Sequence, residues 1–197
     1  MANSIKIQPD RVQALFQEIL NLKKIRRTGW QLRGIKEGES IADHAFGTAF
    51  LAMFLSSFFP QLDRYKVIRM SIAHELGECR VGDIPFPALK YFPNKVEAEK
   101  KAISEMMSGL EVAGEEFISL FCEFEEGITS EARFVKAVDK LEMLLTAFEY
   151  EKTGWKALGD FWKNQSTFSA FSDFKLLEDI ASELLQQRKV SNDTHEN

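Results

Sequence analysis

The chain has 197 residues, of which 45% are hydrophobic and 28% charged, and its formal net charge is −5. This length suits one globular domain, and 17 Phe residues supply ample apolar volume for a core. The acidic balance argues against a nucleic-acid surface, because a strand-binding protein needs clustered Lys and Arg side chains.

Apolar residues recur at intervals of three and four along nearly the whole chain, which is the period of an α-helix. This spacing predicts a first amphipathic helix over residues 12–22. Ser40 is a candidate N-cap for a second helix that runs to about residue 57. A third helix is predicted over residues 64–79.

Three prolines, Pro85, Pro87 and Pro93, disfavour helix in residues 82–93, which we predict to be an ordered loop. Further helices are predicted at 94–110, 115–125, 130–152 and 174–188. Strand signals are almost absent, and no linker divides the chain. The predicted fold class is therefore all-α. We expect a single-domain helical bundle over residues 1–190, followed by a flexible polar tail at 191–197.

The two cysteines, Cys79 and Cys122, are far apart and form no CxxC pair, which argues against a cysteine-based zinc site. The N-terminal residues lack the pattern of a secretory signal. The apolar stretch 49–59 is too short to span a bilayer. Two lone thiols are typical of a reducing compartment, so we expect a cytoplasmic protein with no membrane partner.

The most informative residues are ionisable side chains in helices that are otherwise apolar. His44 and His74 both lie in strongly apolar segments, Glu75 adjoins His74, and Asp139 has apolar neighbours along its helix face. Unpaired buried charges would cost roughly several kcal/mol each. A divalent cation would remove this cost, because it pairs with imidazole and carboxylate together. Ordinary buried hydrogen bonds or ion pairs are the alternative, and both interpretations stay open at this point.

Four strings of residues then resemble the motifs of one known family. Residues 39–44 contain ESIADH, residues 73–85 contain AHELGECRVGDIP, and residues 131–142 contain EARFVKAVDKLE. These resemble the three metal-ligand segments of HD-domain phosphohydrolases. Upstream, the string RRTGW at residues 26–30 resembles the 5'-deoxynucleotidase subgroup.

The resemblance implies an all-helical fold with one divalent metal ion, whether Mn, Fe, Co, Ni, Zn or Mg. It implies removal of the 5'-phosphate from deoxynucleoside monophosphates, and a homodimer is the common assembly of the family. By the same resemblance, the metal ligands are His44, His74, Glu75 and Asp139. Glu78 is then the acid/base group, Asp83 contacts the sugar hydroxyl, and Arg27 binds the phosphate.

Each of the last three roles has a structural alternative. Glu78 lies about one turn beyond His74 and could orient that imidazole instead of transferring a proton. Asp83 could serve only to form a turn. Arg27 could belong to a solvated helix end.

One residue departs from the family pattern. The family has Asp where this chain has Glu75, which is longer by one methylene, so its carboxylate would move by roughly 1.5 Å on an unchanged backbone. Metal sites tolerate distance errors of only about 0.2 Å, so a new rotamer or bidentate binding is needed to keep the ion. This departure leaves two alternatives open: hydrolysis of another nucleotide phosphate, or a metal-free nucleotide-binding or scaffold protein.

Overall fold

The computed structural model describes residues 8–195, with side chains as far as residue 190. Within that range the regular elements are helices, and the only β-type contact is an antiparallel bridge between Arg26 and Ser40. The α-helices are α1 (Pro9–Ile19), α2 (Thr28–Gln31), α3 (Ile41–Leu55), α4 (Arg64–Ala73), α5 (Glu78–Val81), α6 (Lys95–Met107), α7 (Glu111–Glu126), α8 (Ser130–Lys152), α9 (Gln165–Ser169) and α10 (Lys175–His195). Short 3₁₀ segments occupy Leu20–Lys23, Ser56–Phe58 and Phe86–Tyr91. The predicted all-α fold is confirmed.

The core is built around α8, which packs against α3, α4, α7 and α10. Its inward residues Phe134, Val138 and Leu141 are fully buried. Helices α3 and α4 also pack directly on each other. The three helices α3, α4 and α8 therefore form one layered unit, and the predicted candidate metal ligands lie on or next to these helices.

Two helix boundaries follow closely from the sequence. Ser40 caps α3 as predicted: its hydroxyl accepts from the Asp43 backbone N–H, while the Asp43 carboxylate accepts from the Ser40 N–H. This reciprocal pair is a capping box, which satisfies two otherwise unpaired donors at the helix start. Gly127 ends α7 in the left-handed conformation, with φ of 66°, as expected for a helix C-terminus.

The third predicted helix is wrong over its last turns. Helix α4 ends at Ala73 rather than near Cys79. Beyond it, the backbone N–H groups of Leu76, Glu78 and Cys79 each donate to the carbonyl three residues earlier. The chain is therefore wound more tightly here than an α-helix. This tighter winding changes the directions in which residues 74–78 project.

The other differences concern the lengths of predicted elements. The segment 82–93 is a loop, as predicted, but contains the 3₁₀ turn Phe86–Tyr91. Helix α10 continues to His195, beyond the predicted end near residue 188. The flexible tail predicted at 191–197 stays a prediction, because residues 196–197 lie outside the described residues.

Helix α3 and the turn after it are unusually apolar. Residues Ile41–Phe58 have a mean hydropathy of 1.3, and by length and composition alone they could cross a membrane. A core helix of a soluble protein passes the same test. Here α3 has one face buried against α4 and α8. The expected absence of a membrane partner stays a prediction.

Candidate metal centre and active-site cavity

Two buried imidazoles face each other at the centre of the helical unit. His44 projects from α3, and His74 is the C-cap of α4; their ring centroids are 5.9 Å apart. Nδ1 of His74 lies 2.8 Å from the Ser71 carbonyl oxygen, and Nδ1 of His44 lies 2.6 Å from Glu142 Oε2. Because a carbonyl or carboxylate oxygen accepts, both Nδ1 atoms carry a proton. Both Nε2 atoms are buried, and among the described residues neither has a hydrogen-bond partner of good geometry.

Two carboxylates approach the same Nε2 atoms. Glu75 Oε1 lies 3.2 Å from His44 Nε2 and 3.4 Å from His74 Nε2, and Asp139 Oδ1 lies 3.1 Å from His44 Nε2. The ligand atoms of His44, His74 and Glu75 all lie within 4.8 Å of one another. Such a set fits a divalent metal, because imidazole nitrogen and carboxylate oxygen bind these ions at about 2 Å.

The charges of this cluster are strongly interdependent. Burial and the charge of Arg27 act against a charged His44, but the contacts with Asp139, Glu142 and Glu75 outweigh them and raise its pKa well above the ordinary value. Burial acts against a charged Asp139, yet Lys140 and His44 hold its pKa well below the ordinary range. The carboxylates are thus held in the ionised state that a bound cation requires, whereas His44 must release its second proton before its Nε2 can bind an ion.

Two cations are already paired with the candidate ligands. Arg27 donates to Glu75 Oε1 over 2.9 Å, and Lys140 Nζ lies 3.0 Å from Asp139 Oδ2. The guanidinium predicted to bind phosphate therefore contacts the residue that departs from the family pattern. Burial opposes ionisation of Glu75, while His74 and Arg27 outweigh it and hold its pKa well below the ordinary value.

Glu78 lies at the edge of the cluster and is almost completely buried. Its Oε2 has no hydrogen-bond partner in the part of the chain that the structure describes, and its Oε1 lies 3.6 Å from Lys95 Nζ. Burial, followed by the charges of Glu75 and Asp83, raises the pKa of Glu78 to about 9, against the opposing effect of Arg27 and Lys95. The carboxyl therefore holds a proton at neutral pH.

A cavity of about 1340 Å³ opens onto this cluster. Its lining includes the predicted site residues Arg27, His74, Glu75, Glu78, Asp83 and Asp139, whereas His44 is fully buried behind it. Positive charge in the lining comes from Lys95, Lys136 and Lys140. Aromatic surface comes from Phe86, Phe92 and Phe161. Such a mixture suits a ligand that has both an anionic and a flat apolar part.

Asp83 has a structural task as well as a position in this cavity. Its Oδ2 accepts from the Thr28 backbone N–H over 2.5 Å, and its backbone carbonyl accepts from the Thr28 hydroxyl. Gly82 precedes it with φ of 81°, a backbone conformation that residues other than glycine rarely adopt. The aspartate thus ties the loop after α5 to the start of α2, next to Arg27.

The sequence arguments missed Glu142 and Lys95. Glu142 orients His44 through Nδ1 and also accepts from the Thr146 hydroxyl. The sequence does contain one indication of a close neighbour, a glycine at position 47, about one turn after His44. A Cβ at Gly47 would lie 2.8 Å from Glu142 Oε1, so the close approach of Glu142 requires this glycine. Lys95 begins α6, ten residues after the end of the segment 73–85, and nothing in the periodicity pointed to it.

These features define an all-helical protein in which core helices bring two histidines and two carboxylates together beside a deep cavity. The sequence profile of the HD domain matches residues 19–178. The chain belongs to the HD-domain family.

Among known proteins, the chain is 38% identical over 138 residues to the 5'-deoxynucleotidase HDDC2 of Dictyostelium discoideum, which covers 66% of this chain and 73% of that protein. It is 34% identical over 173 residues to HDDC2 of Mus musculus, covering 86% and 84%. A conserved hypothetical protein from Pyrococcus furiosus has a similar structure, with a TM-score of 0.76 and 34% identity over 87% of this chain and 98% of that chain. A predicted metal-dependent phosphohydrolase from Magnetospirillum magnetotacticum has a TM-score of 0.70 at 27% identity, over 93% and 95%.

Proposed function

We propose that the protein is a metal-dependent phosphohydrolase that removes the 5'-phosphate from deoxynucleoside monophosphates. The observation that carries this proposal is the meeting of two unpartnered imidazole nitrogens with the carboxylates of Glu75 and Asp139 beside a large cavity. The names of the similar 5'-deoxynucleotidases support the same activity.

One divalent ion would be held by His44, His74, Glu75 and Asp139. When bound, such an ion supplies an activated water and offsets charge on the phosphoryl oxygens. The ligand types suit several first-row metals, and the proposal commits to the site rather than to one metal.

Glu78 is the proton donor in this proposal. Water adds to phosphorus, the bond from phosphorus to the 5'-oxygen breaks, and that oxygen takes the proton of the Glu78 carboxyl. The proton that the water loses then restores the Glu78 carboxyl. A general acid must hold its proton at the working pH, and the burial of Glu78 supplies this condition.

The remaining roles concern substrate contacts. Arg27, beside Glu75, presents a planar set of donors to phosphate oxygens, and Lys136 and Lys140 add positive charge to the same cavity lining. Asp83 has lone pairs left beyond its bond to Thr28 and accepts from the sugar hydroxyl.

One contact favours a second candidate, a metal-free protein that binds nucleotides. Arg27 already neutralises Glu75 over 2.9 Å, so the buried carboxylate has a partner without an ion. This candidate predicts that the protein binds nucleotides without hydrolysing them. The phosphate-release assay described next separates it from the hydrolase. Hydrolysis of another nucleotide phosphate is the third candidate, and an absence of release from the monophosphates would favour it.

The test is phosphate release from a panel of 5'-deoxynucleoside and ribonucleoside monophosphates, by metal-stripped protein alone and with Mn, Co, Zn or Mg. We expect metal-dependent release that favours deoxy substrates and is abolished in Asp139→Ala and Glu78→Gln. Asp179→Ala, an exposed carboxylate on α10, is the matched control. Release only in Glu75→Asp, with none from the unmodified protein, would overturn the proposal in favour of the metal-free candidate. No release from either protein would overturn the proposal that the substrate is a nucleoside monophosphate.

We further propose a cytoplasmic homodimer with no nucleic-acid or membrane partner. The unpaired Cys79 and Cys122 support a reducing compartment, and the net charge of −5 supports a nucleotide rather than a nucleic acid as ligand.

A further inference from the structure

Lys95 is a cation beside the candidate active site to which the proposed reaction assigns no role. It lines the cavity, and its side chain is only 23% exposed. Its Nζ lies 3.6 Å from Glu78 Oε1 and 2.6 Å from Glu99 Oε1, and Glu99 is itself buried. The ammonium group therefore lies between the carboxyl that donates the proton and a second carboxylate on its own helix.

Helix α6 gains little stability from this lysine. Lys95 is the first residue of the helix, where the positive end of the helix dipole disfavours a cation. Its partner Glu99 follows it by four residues, and this order is the weaker one for ion pairs along a helix. Both side chains are also largely removed from water, which costs free energy that an ion pair often fails to recover. The contact with Glu78 is what distinguishes this pair from an ordinary pair on a helix surface.

From this arrangement we infer that Lys95 is a positioning residue for proton transfer: it fixes the Glu78 carboxyl so that Oε2, rather than Oε1, carries the proton to the leaving 5'-oxygen. The inference rests on the proposed function, because it assigns a task within the same reaction. Two observations support it.

The first observation is that the two oxygens of Glu78 have different surroundings. An ammonium group can only donate, so the oxygen that faces Lys95 acts as an acceptor and the proton of the carboxyl belongs on the other oxygen. That oxygen, Oε2, is buried and has no hydrogen-bond partner among the residues that the structure describes. It is therefore free to give its proton to a substrate, as a proton donor must be.

The second observation is that Glu99 holds the lysine from its other side. A Cβ at Gly77 would lie 2.5 Å from Glu99 Cβ and 2.8 Å from Glu99 Cγ, so Glu99 is packed directly against the turn that leads to Glu78. A lysine side chain is otherwise flexible, and the ion pair with Glu99 restricts it. A proton-transfer residue that is oriented by further groups behind it is a common feature of active sites.

The proton balance of the step is simple. As the bond from phosphorus to the 5'-oxygen breaks, the proton leaves Glu78 Oε2 for that oxygen, and the carboxyl becomes a carboxylate. Lys95 keeps its own protons, and its ammonium group faces the negative charge that develops. The proton that the attacking water loses restores the Glu78 carboxyl.

The experiment compares two substrates with the metal-loaded full chain: dAMP, and an analogue of dAMP in which sulfur replaces the bridging 5'-oxygen. A thiolate is a much weaker base than an alkoxide and leaves without a proton, so a proton donor matters only for dAMP. We expect Lys95→Met to lower kcat for dAMP by at least about tenfold, with KM little changed, and to lower kcat for the sulfur analogue by less than about threefold. Lys95→Arg keeps the cation and should restore most of the lost kcat.

Two further variants complete the comparison. Lys100→Met is the matched control, because Lys100 is exposed on the same helix, and its kcat for both substrates should equal that of the unmodified protein. Glu99→Gln should reproduce the pattern of Lys95→Met at a smaller magnitude. Circular dichroism of each variant verifies that it is folded.

The outcomes separate this inference from the proposed function. Equal losses for the two substrates, or a rise in KM without a change in kcat, would assign Lys95 to phosphate binding or to folding and would overturn the inference alone. An unchanged kcat for dAMP in Lys95→Met would do the same. An unmodified protein that releases no phosphate from dAMP would overturn the proposed function, and this role with it.

Discussion

At the scale of single residues, the orientation of His44 depends on a carboxylate that is not itself a candidate ligand. Glu142 Oε2 accepts from His44 Nδ1 over 2.6 Å, which leaves Nε2 as the nitrogen that faces Glu75 and Asp139. Such outer partners fix the tautomer of a metal-binding histidine, and their removal typically costs about 10- to 100-fold in metal affinity.

We therefore expect Glu142→Gln to weaken Mn²⁺ or Co²⁺ binding by about 10- to 100-fold, measured by calorimetric titration of metal-stripped protein. Glu149→Gln is the control on the same helix, since Glu149 is exposed and paired with Lys152 at the surface. Equal affinities in the two variants would show that Glu142 does not position the imidazole.

At Glu78, the raised pKa that suits a proton donor lowers the stability of the folded protein at neutral pH. Its pKa is raised to about 9 by burial and by neighbouring carboxylates, against about 4.3 in an unfolded chain. The carboxyl therefore contributes full stability below about pH 4.3, and the contribution is lost as the pH rises toward 9. At neutral pH the unfolded state releases a proton that the folded state keeps, which favours unfolding.

Replacing this carboxyl by an amide removes the conflict. We expect metal-free Glu78→Gln to be more stable than the unmodified protein by on the order of 2 kcal/mol at pH 8, and equally stable near pH 4. Urea unfolding at the two pH values measures this, with the exposed Glu97→Gln on α6 as control. A stability difference that does not change with pH would contradict the raised pKa.

At the scale of elements, the informative feature is the break after α4. Gly77 has φ of −61° and ψ of −31°, backbone angles that any residue can adopt. A glycine is needed here for space, because the neighbouring helix leaves no room for a side chain. A Cβ at position 77 would lie 2.5 Å from Glu99 Cβ and 3.0 Å from Glu99 Cα. Helix α6 therefore sits directly against the turn that presents Glu75 and Glu78.

The substitution Gly77→Ala should destabilise the protein by about 1–3 kcal/mol, because α6 must move to admit the methyl group. Phosphate release should fall as well, because Lys95 on α6 and Glu78 on the turn would be displaced from each other. Gly159→Ala is the control for stability, as nothing lies within 4 Å of its Cβ position. Thermal unfolding of both variants tests the argument, and equal melting temperatures would refute it.

The same break shows what the sequence can and cannot predict. Periodicity locates α3 and α8, and the Ser40 cap and Gly127 mark ends, because these signals are local. The turn after Ala73 packs against α6, which lies some twenty residues further along the chain, and a local sequence pattern does not report such a contact. Motif resemblance found the candidate ligands, whereas the contacts Arg27–Glu75 and His44–Glu142 join residues 48 and 98 positions apart. Such long-range partners have no periodic signature.

At the scale of the whole molecule, the candidate ligands join distant parts of the chain. His44 comes from α3, His74 and Glu75 from the end of α4, and Asp139 from α8. An ion bound to all of them would link the three helices that form the core. Because the unfolded chain does not present this arrangement, the free energy of metal binding adds to that of folding.

Metal loading should therefore raise the melting temperature of the metal-stripped protein. At a metal concentration about 100 times the dissociation constant, the gain is about 2.7 kcal/mol, or roughly 5–10 °C for a chain of this size. Calorimetric scans with and without Mn²⁺ or Co²⁺ measure the shift, and a chelator should reverse it. Asp139→Asn should abolish most of the shift, whereas Asp179→Asn on α10 should keep it. If metal leaves the unmodified protein unchanged while Glu75→Asp gains the full shift, the Arg27–Glu75 ion pair has replaced the metal in this chain.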